Sequence, residues 1–156
     1  MNSVFNIDDT DRKLLRALQK DADCSMAELG ERIGLSHTPC WRRVKRLEAE
    51  GLIRDKVVLL DPEKLGLSVT VYAYIIIKSH DEGSLDAFES AVQSVDEVVE
   101  CYSTSGEKDF VLKIVVRSVE HYERLLKRTL VHLDNVASVT STFALKRVKY
   151  TTEMPM

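Results

Sequence analysis

The chain has 156 residues, of which 44% are hydrophobic and 30% charged, with six glycines and three prolines. This composition is typical of a globular protein and excludes collagen-like and intrinsically disordered chains. The three cysteines, an odd number, are far apart in the sequence: Cys24, Cys40 and Cys101. This pattern fits a reducing compartment and not a disulfide scaffold. The start of the chain lacks a signal-peptide pattern, and no apolar run approaches the ~20 residues of a membrane span. We therefore expect a cytoplasmic protein with no membrane partner.

The charges are unevenly distributed along the chain. Residues 1–60 hold 11 Lys and Arg against 10 Asp and Glu, whereas residues 61–156 hold 11 against 15. In this acidic protein, Arg42, Arg43, Lys45 and Arg46 form a basic cluster with no acid among them. Such a cluster indicates a surface for a polyanion. A solvated helix face is the alternative that a charge cluster alone leaves open.

Capping patterns predict the helices of the first 50 residues. Asp8 with Asp11, and Ser25 with Glu28, have the three-residue spacing of a capping box. Apolar residues at helical spacing follow each box, and Gly34 is suited to end the second helix because glycine tolerates the left-handed conformation. A third helix follows and ends near residue 51. Short helices joined by a tight turn that contains glycine predict a helix-turn-helix.

The third predicted helix separates apolar from basic side chains. We expect Ser36 to cap it. At about 100° per residue, Cys40, Val44 and Leu47 fall in one apolar sector. The basic cluster falls largely on the opposite side, which is the geometry of a recognition helix that enters the major groove of DNA. Double-stranded DNA is therefore the predicted partner.

Eight residues of this helix and its cap are candidate DNA contacts, since their side chains suit phosphates or base edges. They are Ser36, His37, Thr38, Trp41, Arg42, Arg43, Lys45 and Arg46. Structural roles remain open for two of them. Trp41 could cover a neighbouring helix, and Arg43 could pair with an acid of the first helix.

The region after this helix predicts a wing and a domain boundary. Residues 52–53 and 57–60 are apolar and flank a charged triplet, which suggests a small hairpin beside the helices. Residues 61–66 contain proline and glycine in a turn-like pattern and predict a linker. We therefore expect a DNA-binding domain over residues 1–60, a linker over 61–66 and a second domain over 67–156.

The second domain alternates strand and helix patterns. Strands are predicted at 69–77, 98–104, 110–116 and 136–145, with amphipathic helices after the first and third strands. The order βαββαβ is that of a ferredoxin-like fold. The predicted fold class is therefore α+β, with an N-terminal winged helix-turn-helix domain and a C-terminal ferredoxin-like domain.

One face of the predicted sheet is unusually apolar for a surface. Right-handed crossovers place both helices on the same side, so the other face should meet water. That face keeps Tyr72, Tyr74, Ile76, Val111 and Val115. We therefore expect it to pack against another copy of the chain.

The sequence carries no recognisable catalytic, metal-binding or cofactor-binding motif. The four histidines have no metal-like spacing, and neither a phosphate-binding glycine loop nor a nucleophile elbow is present. Gly106 and Asp109 are the exception in this part of the chain, because a turn glycine allows close backbone approach beside a carboxylate. Simple turn chemistry is the alternative reading of this pair.

Three motifs and a loop signature occur together along the chain. The first is Ile7-Asp8-x-x-Asp11-x-x-Leu14-Leu15-x-x-Leu18. The second is Leu35-Ser36-x-Thr38-Pro39-Cys40-x-x-Arg43-Val44-Lys45-Arg46-Leu47-Glu48-x-x-Gly51-x-Ile53. The third is Asp61-Pro62-x-x-Leu65-Gly66, and the loop signature is Gly106-x-x-Asp109. Together they resemble the leucine-responsive/asparagine-regulator (Lrp/AsnC, feast/famine) family of transcription factors over nearly the whole chain.

The resemblance implies an amino-acid-sensing regulator with an N-terminal DNA-binding domain and a C-terminal effector domain. It implies homodimers built through the effector-domain sheets, which assemble into higher oligomers such as octamers. It also implies an effector site in a cleft between dimers, near the turn at 106–109 and the last strand.

A free amino acid needs a negative group for its ammonium and exposed donors for its carboxylate. Asp109 supplies the first, and the open backbone at Gly106 supplies the second. The predicted effector-binding residues are Tyr102, Thr104, Gly106, Asp109, Val139 and Ser141. The family often has Thr-x-Thr on the last strand, where the matching positions here are Val139 and Ser141.

A ferredoxin-like enzyme or carrier of small molecules with a helical appendage is the alternative from a different functional class. It requires convergent acid–base groups in a pocket, and the sequence does not indicate them.

Overall fold

The computed structural model describes residues 5–156, which belong to two compact units. One unit contains the chain up to Val58 together with Lys149–Met156, and the other contains Leu59–Val148. The division at 58 lies close to the expected boundary at 60. The expected domain of residues 67–156 stays a prediction, and residues 149–156 of it belong by their contacts to the N-terminal unit. They do so because Met156 packs against the apolar cluster of that unit.

The N-terminal unit is a three-helix domain. Its helices are α1 (Asp9–Lys20), α2 (Met26–Ile33) and α3 (His37–Ala49). Both predicted capping boxes are present: Asp11 N donates to Asp8 Oδ1 at 2.7 Å, and Ser25 N donates to Glu28 Oε2 at 2.8 Å. The apolar sectors meet in one cluster of buried residues. Its members are Leu14, Leu15, Leu18, Cys24, Leu29, Cys40, Val44 and Leu47.

A close backbone approach shapes the turn between α2 and α3. Gly34 ends α2 in the left-handed conformation with φ of 75°, as predicted. Leu35 N donates to the Gly30 carbonyl at 2.8 Å, and a Cβ on Gly30 would lie 2.5 Å from the Leu35 carbonyl oxygen. Only glycine at position 30 therefore allows α3 to begin so close to α2.

Two local expectations in this unit need correction. Ser36 occupies the N-cap position of α3, but its side chain makes no capping hydrogen bond. The hairpin expected over residues 52–60 does not form, since within residues 5–156 no strand lies between α3 and β1. The amides of Leu52 and Ile53 instead bond to the Leu47 carbonyl, which extends the end of α3. Residues 57–60 expose 58–84% of their surface.

The C-terminal unit has the predicted ferredoxin-like topology. Its elements are β1 (Val69–Ile77), α4 (Glu82–Gln93), β2 (Val98–Ser103), β3 (Phe110–Val116), α5 (Val119–Arg128), a 3-10 turn (Leu130–His132) and β4 (Val136–Phe143). The strands are antiparallel and lie in the order β2-β3-β1-β4. The two edges of the sheet are therefore β2 and β4.

Alternation along the strands separates the two faces of this sheet. Val71, Ala73 and Ile75 of β1 are fully buried and form a core with Phe88 of α4 and Tyr122 of α5. The intervening residues lie on the opposite, open face, where Tyr72 is 37% exposed and Tyr74 36% exposed. The burial pattern thus confirms which face the helices cover and leaves the apolar open face without cover in a single chain.

Candidate functional site

The outer surface of α3 presents a group of exposed side chains. Six of the eight predicted DNA contacts lie on it without an ion pair to α1: Ser36, His37, Thr38, Trp41, Arg42 and Lys45. Trp41 is 46% exposed, so it does not serve as a core residue. Lys45 is paired within the helix, with its Nζ 2.7 Å from Glu48 Oε2. A phosphate would compete with Glu48 for this ammonium.

The other two predicted contacts, Arg43 and Arg46, are directed to α1. Arg43 Nη1 donates to Asp8 Oδ2 and to Asp11 Oδ1, each at 2.7 Å. Arg46 Nη2 donates to the second carboxylate oxygen of Asp11. The Asp11 side chain is fully buried, whereas the arginine side chains keep 31% and 43% exposure.

This ion-pair network has the electrostatics of a structural contact. A main-chain hydrogen bond from Asp11 and the Arg43 guanidinium hold the pKa of Asp8 below its usual value. The pKa of Arg43 is raised by its hydrogen bonds to Asp8 and Asp11. Arg43 thus takes the structural role left open for it, and Arg46 shares it although the helical wheel placed Arg46 on the outer side. Both arginines join α3 to α1.

In the C-terminal unit, Asp109 lies immediately before β3, and its side chain contacts the end of β1 and the loop that follows β1. Ile77 N donates to Asp109 Oδ2 at 2.8 Å. His80 Nε2 lies 2.7 Å from Asp109 Oδ1. The hydrogen bond from Ile77 and then the His80 contact lower the pKa of Asp109. The carboxylate is therefore ionised at neutral pH and both of its oxygens have partners.

The turn before Asp109 has the geometry expected of its glycine. Gly106 adopts φ of 126°, in the region that disfavours other residues. Thr104 N donates to the Asp109 carbonyl at 2.8 Å, and Thr104 Oγ1 donates to the Lys108 carbonyl at 2.5 Å. The loop at 104–109 is thus closed by its own hydrogen bonds.

The remaining predicted effector residues are divided between the two edges of the sheet. Tyr102 is on edge strand β2 and pairs with Val111 of the open face. Val139 and Ser141 are on the other edge strand, β4, and pair with core residues of β1. Tyr102 and Ser141 therefore occupy opposite edges and opposite faces of the sheet, so a single chain does not bring the six residues together.

Two residues near this loop and strand were not singled out in the sequence. His80 contacts Asp109, and Tyr122 Oη shares a hydrogen bond of 2.5 Å with Ser141 Oγ. Burial raises the pKa of Tyr122. A lone histidine after β1 and a tyrosine in an apolar helix stripe carry no local signal, because their partners lie 29 and 19 residues away along the chain.

Edge strand β4 also carries hydroxyl groups on the open face. Thr140 pairs with Tyr74, and Thr142 pairs with Tyr72. These threonines are one position out of register with Val139 and Ser141. The Thr-x-Thr pair of this chain therefore faces the side of the sheet that the helices leave open.

A cavity of about 280 Å³ lies between α4 and the β2 edge. It is lined by Glu89, Val92, Gln93, Cys101, Ser103 and Phe110, which are different residues from the six predicted. Within residues 5–156, no group of three or more His, Cys, Asp or Glu is arranged to hold a metal ion. Over the same residues, every helix is too short or too polar to cross a membrane.

Comparisons with known proteins agree with this architecture. Residues 7–54 match the family model of a winged helix-turn-helix DNA-binding domain, and residues 70–154 match that of the Lrp/AsnC ligand-binding domain. The glutamate uptake regulatory protein of Zymomonas mobilis is 42% identical over 153 residues, covering 98% of this chain and 93% of that protein.

Solved structures give the same result. An AsnC family transcriptional regulator from Agrobacterium tumefaciens superimposes with a TM-score of 0.91 at 42% identity, over 96% of this chain and 97% of that one. A transcriptional regulator from Neisseria meningitidis in complex with L-Met superimposes with the same TM-score of 0.91 at 32% identity, over 96% and 97% of the chains. With a recognition helix in the first unit and a ligand-binding fold in the second, the chain belongs to the Lrp/AsnC family of DNA-binding transcriptional regulators.

Proposed function

We propose that this regulator works in the cytoplasm as a non-enzymatic homo-oligomer. It binds double-stranded DNA through α3 and responds to an amino acid in its C-terminal unit. The observation that carries this proposal is that the basic side chains of α3 fall into two groups, those paired with α1 and those left exposed. Arg43 and Arg46 pair with acids of α1, while Arg42 and Lys45 are exposed on the same helix and make no ion pair to α1.

We assign the DNA contacts to the exposed side of α3. Arg42 and Lys45 would bind phosphates or guanine edges, and Thr38 lies in the first turn, where a recognition helix meets the bases. The free Ser36 hydroxyl would bind a phosphate because it does not cap its own helix. In this assignment Arg43 and Arg46 are positioning residues that act through α1.

The DNA assignment is tested by the salt dependence of binding. Arg42→Ala should weaken binding to all sequences nearly uniformly and reduce the slope of log affinity against log salt by about 0.9 per lost phosphate contact. Lys64→Ala removes an exposed cation outside α3 and should leave the slope at its wild-type value. An Arg42→Ala protein with wild-type affinity and slope would contradict the assignment.

We propose an amino acid as the effector. The structural relative from Neisseria meningitidis was solved with L-Met, and it matches this chain over both units. Asp109 offers a carboxylate that is ionised at neutral pH, which suits the ammonium of a free amino acid. Since the Asp109 oxygens already bind Ile77 N and His80, an incoming ammonium would displace the exposed His80 side chain.

The effector site would be completed by more than one copy of the chain. Tyr102 and Ser141 lie at opposite sheet edges, so both can line one site only if they come from different copies. The exposed apolar residues Tyr72 and Tyr74 of the open face, together with residues 57–60, supply surface for such contacts. We therefore propose dimers that assemble further, because a site lined by residues from both edges of the sheet needs more than one copy of the chain.

Titration calorimetry with each of the twenty standard amino acids tests the effector assignment. We expect at least one to bind the wild-type protein, and His80→Ala to strengthen that binding by freeing Asp109 Oδ1. Asp109→Asn should weaken it about ten- to a hundredfold, since a hydrogen bond to a charged group contributes about 1.5–3 kcal/mol. Equal binding by wild type and Asp109→Asn would place the site elsewhere.

A further inference from the structure

The end of the chain folds back onto the first helix of the N-terminal unit. Met154 N donates to Gln19 Oε1 at 2.5 Å, and Arg16 Nη2 donates to the main-chain oxygen of Met156. The Met156 side chain packs against the apolar cluster of the three helices and is only partly exposed. The contacts of residues 149–156 with this unit thus include two main-chain hydrogen bonds and one apolar side chain.

These contacts give α1 a second occupied face. With 3.6 residues per turn, Gln19 and Arg16 lie about 80° and 140° around the helix from Asp11. Asp11 holds Arg43 and Arg46 of the recognition helix, whereas Gln19 and Arg16 hold the C-terminal residues. Helix α1 therefore contacts both the recognition helix and the end of the chain.

The selectivity of the contact argues against a loose tail. Leu145 and Val148, just before the segment, are 99% and 89% exposed, whereas Met156 is partly covered. The chain thus leaves β4, crosses an uncovered stretch and then regains specific contacts on α1. A partly buried residue such as Met156, at the end of an exposed connection, is expected of a segment that docks on a surface.

We propose that residues 149–156, the C-terminal latch, bind α1 and brace it against the recognition helix, so that DNA binding depends on the latch. The two hydrogen bonds of the latch are to α1, and Met156 packs against the apolar cluster that the three helices share, so its effect on DNA would pass through α1 and that cluster. This role goes beyond the assigned DNA contacts and does not involve the effector.

Hydrogen exchange on the full-length protein tests whether the latch is docked. We expect residues 149–156 to exchange more slowly than the same sequence in a free synthetic peptide. Gln19→Ala should speed their exchange, since it removes the acceptor for Met154 N. Gln93→Ala removes the same side chain from α4 and should not change it. Exchange as fast in the wild type as in the peptide would overturn the proposal.

Binding to a random-sequence duplex at low salt tests the bracing role. Gln19 is uncharged, so Gln19→Ala removes no phosphate contact. We expect affinity to fall about two- to tenfold, the range for one lost hydrogen bond, with an unchanged salt slope. Deletion of residues 149–156 should reduce affinity at least as much. If Gln19→Ala frees the latch and affinity stays at the wild-type level, the segment docks without bracing and the proposal is wrong.

Discussion

The fully buried carboxylate of Asp11 lies 2.7 Å from Nη1 of Arg43 and also receives Arg46. A basic cluster that the sequence offers as one DNA-binding surface is thereby divided. Arg43 and Arg46 pair with α1, whereas Arg42 and Lys45 remain exposed for the DNA contacts that we propose. Arg42 and Arg43 are adjacent in the sequence, and only the ion pairs of Arg43 with α1 distinguish them.

Loss of Asp11 should lower the stability of the protein. Asp11→Ala removes charge-assisted hydrogen bonds and one half of a capping box, and we expect a destabilisation of about 1.5–3 kcal/mol. The freed arginines can rehydrate because they are partly exposed, so the protein should still fold. Urea denaturation measures the change, and Asp9→Ala, in the same turn but exposed, is the control. Equal stability of both variants would contradict the structural role.

Thr38 and Arg42 should differ in what they change. Thr38→Ala should alter which bases are preferred, because a side chain in the first turn of a recognition helix lies near base edges. Arg42→Ala should lower affinity for all sequences alike. Selection from a random DNA library with each variant compares the preferred sites. A Thr38→Ala protein that selects the wild-type site would exclude base contact by Thr38.

Gly30 should tolerate no larger residue. A Cβ there would lie 2.5 Å from the Leu35 carbonyl oxygen, and a main-chain atom cannot move aside as a flexible side chain does. We expect Gly30→Ala to cost about 1–3 kcal/mol, as overpacking does. Gly83→Ala is the matched control, since its nearest neighbour lies at 3.6 Å and alanine favours helices by up to about 1 kcal/mol. Thermal unfolding distinguishes the two, and a neutral Gly30→Ala would show that the turn can relax.

The first turn of α4 should weaken in acid. Asp81 caps this helix, and hydrogen bonds from Ser79 and Ser84 lower the pKa of Asp81 to about 2. Because this pKa lies below that of the unfolded chain, the contribution is complete above pH ~4 and is lost as the pH falls toward 2. The amide shift of Ser84 in NMR should titrate with a midpoint near 2. In Asp81→Asn this titration should be missing.

The open sheet face should hold copies of the chain together. Tyr74→Glu places a charge among apolar residues of that face, so we expect the full-length protein to shift toward monomer in analytical ultracentrifugation. Ala87→Glu adds the same charge at an exposed position of α4 and should leave assembly unchanged. Sedimentation of Tyr74→Glu like the wild type would exclude this face as the interface.

Features that depend on near neighbours along the chain were predictable from the sequence. The two capping boxes, the left-handed Gly34, the buried sector of α3 and the bounds of β1 and β3 all agree with prediction. Each rests on interactions within a few residues or on strand alternation. The prediction of a wing hairpin over residues 52–60 was wrong, because the amides of Leu52 and Ile53 donate to the Leu47 carbonyl at the end of α3.

By itself, the sequence determined the order of elements, the two-unit plan and the face of each helix that is buried, since periodicity and capping are local. Only the tertiary structure decided the partners of Arg43, Arg46, Asp109 and the C-terminal latch. The contact between Arg46 and Asp11 spans 35 residues, and that between Met154 and Gln19 spans 135. A charge or an amide on its own does not specify such a partner, because the path of the folded chain selects which of several opposite charges or acceptors it meets.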